Sequence, residues 1–431
     1  MSSERSRHGG VDEIPLPVGP GRLWLCGKHY VGPDPETAMA AIGATTVVCL
    51  SETHELADRY PAYIAWLGDN APGRALWYPI PDFHAPDEPE ARELIDELLR
   101  RISAGETLLV HCGGGIGRSG TVAAALLITV GVPLEEAVTR VRAHRPMAGP
   151  EAGTQTQLLR LVDDRRSALT ASLDAAFAGL ERDGFAVVHD ALSAEEVRRL
   201  RSRLVEVACA EREAGIDHDP AWEDGPRNQR VFGLLNKGVE FVELAAHPVA
   251  EALMGHLLDP AYLLSSITAN ITGPGGHPMY LHYDQDYVPQ PWPAVPLVAN
   301  IIWMLDGFTE HNGATRFIPG SHREDHTGWS PESMAAREGE TVAVGGPAGS
   351  LVCLDGRVLH QTGANTTADE LRYGIIAYYC QPWIRQQENA SLSILPEVWP
   401  GLPPRVRELV GLKKYRGLGC VSGPTQRGFR Y

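Results

Sequence analysis

Two groups of residues in this chain have the types and spacing of chemical machinery. The first is VHCGGGIGRSG at 110–120, where a cysteine precedes a run of glycines, an arginine and a serine. Cleaving a phosphate monoester through a cysteine requires a thiolate at neutral pH, which positive potential from backbone N–H groups and a helix N-terminus would supply. Glycines let successive amides turn inward around phosphate oxygens. An arginine grips two of those oxygens at once, which a lysine does less well. Cys112, the glycines at 113, 114, 115 and 117, and Arg118 meet these needs in order, and Ser119 is placed to hydrogen-bond the departing thiolate. A leaving oxygen also needs a proton, and YPIPDFHAPD upstream offers Asp82 flanked by prolines.

The second group begins at LHYDQD, residues 281–286. His282 and Asp284 are two apart, so on a strand both project from one face. A non-haem Fe(II) oxygenase holds its metal with two histidines and one carboxylate on one side, leaving the other positions for co-substrate and oxygen. His360, in CLDGRVLHQTGAN, is the candidate second histidine. Arg372, in LRYGI, would pair with the far carboxylate of 2-oxoglutarate, and Thr362 would add a hydrogen bond there. His322 of PGSH reads as holding a turn, and His277, His311 and His326 as solvated loop residues. Trp292, Trp303 and Trp383 read as core or pocket wall.

Both groups sit inside longer resemblances. His-Cys, five residues, Arg-Ser, preceded by PIPDF and followed by RVRAHRP, resembles dual-specificity and related cysteine-dependent protein phosphatases across about residues 20–165. That resemblance implies Cys112 as nucleophile, Arg118 as phosphate clamp, Asp82 as general acid and His111 as a support of the loop. It leaves Gln155 and Gln157 as alternatives for positioning the hydrolytic water, because MAGPEAGTQTQ departs from the usual spacing. Phosphoinositide-directed relatives carry lysines in this loop, and none occurs here. LERDGFAVVHDALSAEEV, LHYDQDY, NGATRFIPGSH and LVCLDGRVLHQTGANTT occur in the order found in the phytanoyl-CoA dioxygenase family, over about residues 170–390. That resemblance implies a double-stranded β-helix holding Fe(II) and 2-oxoglutarate, with His282, Asp284 and His360 as ligands and Arg372 as co-substrate anchor. Halogenating relatives replace the carboxylate with a small residue, so Asp284 implies hydroxylation or another oxidation.

The elements that must position these residues change character along the chain. Up to about residue 165, short aliphatic runs (45–50, 75–80, 107–110) alternate with helical patterns at 88–103 and 133–146, as in an α/β layer fold. Next come a helix, a break at Gly184, a short strand and a helix whose Ser193 and Glu196 form a capping box. Beyond 260, strands separated by Gly and Pro turns dominate, including LVANIIWML, ATRFIPG, GSLVCLD and YGIIAYYCQP, a sandwich or barrel pattern. The expected architecture is an α/β phosphatase-like domain with a central sheet and flanking helices at 1–166, then a double-stranded β-helix (jelly-roll) oxygenase domain with N-terminal helices at 167–431. With no Pro- or Ser-rich linker, a compact hinge is expected near 166. Segments 215–240 and 285–300 are expected to line the oxygenase pocket.

Composition bounds the function. A chain of 431 residues suits two or three domains. The net charge of -16 and the lack of basic stripes argue against a general nucleic-acid partner. Seven cysteines without paired spacing form neither a disulfide framework nor a CxxC zinc site, which fits a reducing cytoplasm. The polar start MSSERSRHGG lacks a signal-peptide core, and the longest apolar run, 121–132, is short of the ~20 residues that span a bilayer, so no membrane association is expected. The leading reading is a bifunctional enzyme acting on a small-molecule substrate that is phosphorylated at one stage. The alternatives are a dioxygenase carrying a non-hydrolysing phosphate-binding module, and a phosphatase acting on a phosphoprotein.

Overall fold

The computed structural model describes residues 9–216 and 228–420. Contacts within the chain gather into two compact units, 1–169 and 170–431. Among the described residues, no helix is long and apolar enough to cross a membrane.

The first unit is built on a five-stranded sheet. Its strands are β1 (Val11–Ile14), β2 (Arg22–Gly27), β3 (Thr46–Cys49), β4 (Ala75–Trp77) and β5 (Thr107–Cys112), in the order β1-β2-β5-β3-β4. Only β1 runs antiparallel to its neighbour. The central strand β5 is buried on both faces, which is why it reads as a continuous aliphatic run. Its residues alternate between two cores. Leu108, Val110 and Cys112 pack with the Glu88–Ser103 and Gly117–Thr129 helices, whereas Leu109 faces the core containing Tyr63 and Leu67. The apolar run at 121–132 is explained by this arrangement: the Gly117–Thr129 helix is buried along nearly its whole length, hydrophobic on all sides.

The second unit carries two antiparallel sheets. Six strands, β6 (Phe185–Val188), β7 (Asn228–Val231), β8 (Leu263–Thr272), β9 (Val298–Met304), β12 (Leu351–Asp355) and β14 (Arg372–Cys380), lie in the order β6-β12-β9-β14-β8-β7. The smaller sheet is β11-β10-β13, made of β10 (Arg316–Phe317), β11 (Val342–Ala343) and β13 (His360–Gln361). Ile302, Met304, Val352 and Leu354 of the larger sheet share a core with Phe317 of the smaller one. The helix Ala194–Glu213 starts at the Ser193/Glu196 capping box.

Two expectations need correction. The junction expected to be a compact hinge near 166 is helical: one helix spans Gly153–Asp183, and the division between the units falls inside it. Its sequence there is rich in Leu, Ala, Arg and Asp without an interrupting proline, so nothing breaks it before Gly184. Gly184 does, at φ +83°, where a Cβ would lie 2.5 Å from His322 Nδ1. His326 is not a solvated loop residue. It is buried, its Nε2 is paired with the Arg357 carbonyl at 3.1 Å, and its ring packs among Tyr283, Trp292 and Trp329. The surrounding aromatic rings, distant in sequence, are what shelter it.

Candidate functional sites

The first site forms where β5 ends and the Gly117–Thr129 helix begins, with the glycine loop between them. Cys112, the last residue of β5, is buried, and its Sγ lies 3.4 Å from Ser119 Oγ. Arg118, whose side chain is 1% exposed, folds back over the loop. Its two terminal nitrogens bond Glu55 at 2.6 and 2.8 Å, Nη1 also bonds the Ile80 carbonyl at 2.7 Å, and Nη2 reaches Asp82 at 3.0 Å. Burial is the largest single influence and works against the charge on both partners, but hydrogen bonds and neighbouring opposite charges together outweigh it, holding Arg118 above and Glu55 below its ordinary pKa. The remaining donor, Arg118 Nε, is buried with no partner among the described residues.

The loop's shape is fixed from beneath. Arg145 donates to the carbonyls of Gly114 (3.1 Å) and Gly115 and is itself paired with Asp12 at 2.7 Å. Carbonyls drawn toward that guanidinium leave the loop's amides to face the other way, as an anion-binding nest requires. His111 points to the opposite face of β5, where Nε2 meets the Tyr63 hydroxyl at 2.7 Å. Burial lowers its pKa to about 4, so it is a neutral support. Gln155 is buried and held at both ends: its oxygen accepts from the Glu151 amide at 2.8 Å, and its nitrogen donates to the His84 carbonyl at 3.2 Å. It therefore braces the Asp82–His84 segment, while Gln157 faces solvent. The sequence reading missed Glu55, Arg145 and Tyr63, whose importance appears only when distant segments meet.

The second site lies between the sheets of the second unit. His282 and His360 face each other as an antiparallel bridge, with amide-to-carbonyl bonds of 3.0 and 2.9 Å. This brings their rings to 4.4 Å between centroids. Asp284 Oδ1 lies 3.9 Å from His282 Nε2, and Oδ2 3.6 Å from His360 Nε2. Among the described residues these three form the cluster able to hold a metal ion, with one ligand atom from each within 4.8 Å of the others. The donor set fits. Each histidine turns Nδ1 to a backbone carbonyl two residues earlier, Tyr280 (2.9 Å) and Val358 (3.0 Å). Those bonds place the proton on Nδ1 and leave both Nε2 lone pairs facing the carboxylate. Burial lowers both histidines to about 4 and raises Asp284 to about 6, the latter opposed by His282 and by a hydrogen bond from Asn300.

Arg372, at the start of β14, is buried and lies opposite Thr272 of β8. It donates to the Thr272 hydroxyl at 2.8 Å and to the Gly313 carbonyl, its guanidinium stands 4.4 Å from the Phe308 ring centroid, and its Nε has no partner among the described residues. Burial, with Arg230 next, lowers its pKa to about 10. Thr362 is half-buried two residues beyond His360, its carbonyl accepting from the Met279 amide at 3.1 Å. The hydroxyl bonded to Arg372 is therefore that of Thr272. Of the segment 215–240, residues 217–227 lie outside those described. In 285–300, Tyr287 to Pro289 line a cavity with Trp383, while Trp292 turns to the His326 cluster. Trp303 is core, and His277 and His311 are exposed.

Comparison with known proteins agrees with this division. Residues 18–171 match the family model described as Swiss Army Knife protein, DSP-PTPase phosphatase domain. Residues 180–373 match that of phytanoyl-CoA dioxygenase. Dioxygenase af480 of Aspergillus fumigatus is 35% identical over 250 residues, covering 57% of this chain and 78% of its own. Dioxygenase FrzG of Cladobotryum sp is 28% identical over 266 residues, covering 57% and 86%. The crystal structure of SnoK, a non-heme alpha ketoglutarate dependent carbocyclase from nogalamycin biosynthesis, superposes on 48% of this chain and 83% of its own at 21% identity, with a TM-score of 0.40 that is too low to argue from. With a metal triad between two antiparallel sheets and a relative of this similarity, the chain belongs to the phytanoyl-CoA dioxygenase family, its dioxygenase unit preceded by one that matches a phosphatase domain.

Proposed function

We propose that this dioxygenase is bifunctional, joining cysteine-dependent phosphomonoester hydrolysis to hydroxylation or a related oxidation of a small molecule. In the oxygenase unit, His282, Asp284 and His360 hold Fe(II), and Arg372 takes the far carboxylate of 2-oxoglutarate. When bound, the metal and its co-substrate supply the activation of dioxygen. The chain's own part is to orient both imidazoles through Tyr280 and Val358, to fix Asp284 through Asn300, and to hold Arg372 against Thr272 and Phe308 away from water.

The phosphatase half is carried by one observation: a buried guanidinium whose ends are held by Glu55 while Nε, beside the glycine loop, has no partner among the described residues. A buried donor left unpaired costs about 1–3 kcal/mol, and a phosphate oxygen would satisfy it. The Cys112 thiolate attacks phosphorus, and the P–O bond breaks with its electrons going to the leaving oxygen, which takes a proton from Asp82. Water then attacks the phosphocysteine, Asp82 accepts its proton, and the sulfur departs as a thiolate hydrogen-bonded by Ser119. Asp82 is 59% exposed, so it stands at the surface of the loop, where an incoming substrate would meet it.

The test is hydrolysis of p-nitrophenyl phosphate by the full chain, with and without a metal chelator. Turnover that survives chelation and disappears in Cys112→Ser supports the proposal. Phosphate binding without turnover would instead identify a recruiting module. In parallel, oxygen consumption that requires 2-oxoglutarate and disappears in His282→Ala is expected.

A further inference from the structure

The face of the six-stranded sheet that carries Arg372 also reaches a second cavity. Tyr378 of β14, an even number of residues from Arg372 and so on the same face, lies opposite Ser266 of β8 and Asn300 of β9. Its hydroxyl donates to the Asp284 carbonyl at 2.6 Å, while Asn300 holds the Asp284 carboxylate. Tyr287 in turn shares a hydrogen bond with Tyr378. Ser266 donates to Gln387 Oε1 at 2.7 Å, and Ile384 packs against the cluster of Tyr378 and Cys380. Tyr287–Pro289 and Trp383–Gln387 are the two walls of the cavity, about 380 Å³ in volume. Each wall is therefore tied to the residues that surround Asp284.

The lining limits what kind of molecule fits. Tyr287 is 44% and Trp383 49% exposed, and Tyr280, whose ring centroid lies 5.3 Å from that of His282, is 61% exposed. Large aromatic rings facing water around one metal triad mark a surface that something apolar covers. Val288, Pro289 and Ile384 add aliphatic surface. The two glutamines each have one end held by the protein: Gln386 Nε2 donates to the Leu264 carbonyl at 2.6 Å, and Gln387 accepts from Ser266. Arg385 is exposed, where water screens its charge. A cavity of this size with aromatic walls selects an apolar ring system over an ion or a sugar, whose polar groups would lose water without finding partners.

We infer that this cavity holds the substrate of the oxygenase, and that the substrate is an uncharged small molecule with an apolar ring skeleton that covers Tyr287 and Trp383. This rests on the Fe(II)/2-oxoglutarate reading of the triad. An apolar skeleton offers the C–H bonds that an oxygenase attacks, and a cavity wall bonded to Tyr378 keeps them close to Asp284.

The test uses the full chain loaded with Fe(II) and 2-oxoglutarate without oxygen, following the visible charge-transfer absorption of the chelate. The probes are 2-naphthalenemethanol, its anionic analogue 2-naphthalenesulfonate, and glucose. The naphthyl alcohol is expected to perturb the band at a concentration about tenfold or more below either of the others. Trp383→Ala and Tyr287→Ala are each expected to weaken its binding about tenfold, and Trp383→Ala to change 2-oxoglutarate affinity by less than about threefold. Equilibrium dialysis of the alcohol against the metal-free chain should show the same loss in both variants. Equal response to the sulfonate or to glucose, no response to any probe, or undiminished binding in both folded variants overturns the inference. So does a self-associating chain whose copies separate on sedimentation of Trp383→Ala, since the exposed rings would then face a second copy. A chelate band missing from the unaltered protein would instead refute the cofactor reading, while dialysis would still show whether the cavity takes the ring.

Discussion

Glu55 decides what Arg118 can do. A guanidinium free to rotate would meet a phosphate at a fraction of its encounters, and one clamped at both ends presents its remaining edge every time. Glu55→Gln keeps the shape but loses the charge. We expect it to lower kcat/KM for an aryl phosphate by about a hundredfold and to destabilise the first unit by about 3 kcal/mol, because the buried Arg118 loses its counter-charge. Urea denaturation checks the second effect. Asn300 plays the matching part for Asp284, and Asn300→Ala is expected to weaken metal affinity about 10–100-fold in a direct metal titration. His111 gives a pH signature. Its folded pKa, about 4, lies below the unfolded value, so its contribution is intact above about pH 6.5 and is lost as pH falls toward 4. The gap in stability between the unaltered protein and His111→Asn should therefore shrink over that window. None of Glu55, Asn300 or Tyr63 carried a signal in the sequence: each acts on a residue many positions away, and only the tertiary fold makes the pairing visible. The grouping of Cys112 with Ser119 and of His282 with Asp284 was legible because each pair lies close in sequence.

Strands buried on both faces were easy to read, since β3, β9, β12 and much of β14 are continuous runs of aliphatic and aromatic residues. The longest strand, β8, was not. LLSSITANIT looks like a surface segment, yet it is buried almost throughout, because Thr268 and Thr272 meet the guanidinium groups of Arg230 and Arg372 instead of a hydrocarbon core. Polar residues in a buried strand thus marked the face that carries Arg372. Thr272→Val removes the hydroxyl that holds Arg372, and 2-oxoglutarate affinity should fall about tenfold, measurable by titration into the metal-loaded protein. The glycine loop has a similar internal logic. Gly115 adopts φ +71°, and a Cβ there would lie 2.2 Å from the Cys26 carbonyl. Gly115→Ala should therefore cost about 1–3 kcal/mol and abolish phosphate binding, since the loop can accommodate the methyl only by opening.

At the scale of the whole chain, the two sites belong to separate compact units. Metal and 2-oxoglutarate should accordingly raise the unfolding transition of one unit only, by about 2.7 kcal/mol at a hundred times the dissociation constant, while inorganic phosphate acts on the other. Differential scanning calorimetry would resolve this, and a shift of both transitions by either ligand would mean that the units unfold as one. The two-part organisation was visible in the change of pattern near 165, and the division between the units falls within a helix that the pattern did not show as continuous. Helix-forming residues continue across it, and nothing in their local preference announces where one set of contacts ends and another begins.

That uninterrupted helix matters to anyone who would cut the gene in two. Leu158 and Leu159 near its start are buried, and near its end Ala176 and Leu180 are buried while Phe177 stacks on His256. A scission at 166 would leave each product the part of the helix that packs on it, Leu159 in the aliphatic core of the first and Phe177 against His256 in the second, with one frayed end apiece. Extending the first fragment to Asp183 would instead bare Phe177 to water, so overlapping fragments are the poorer choice.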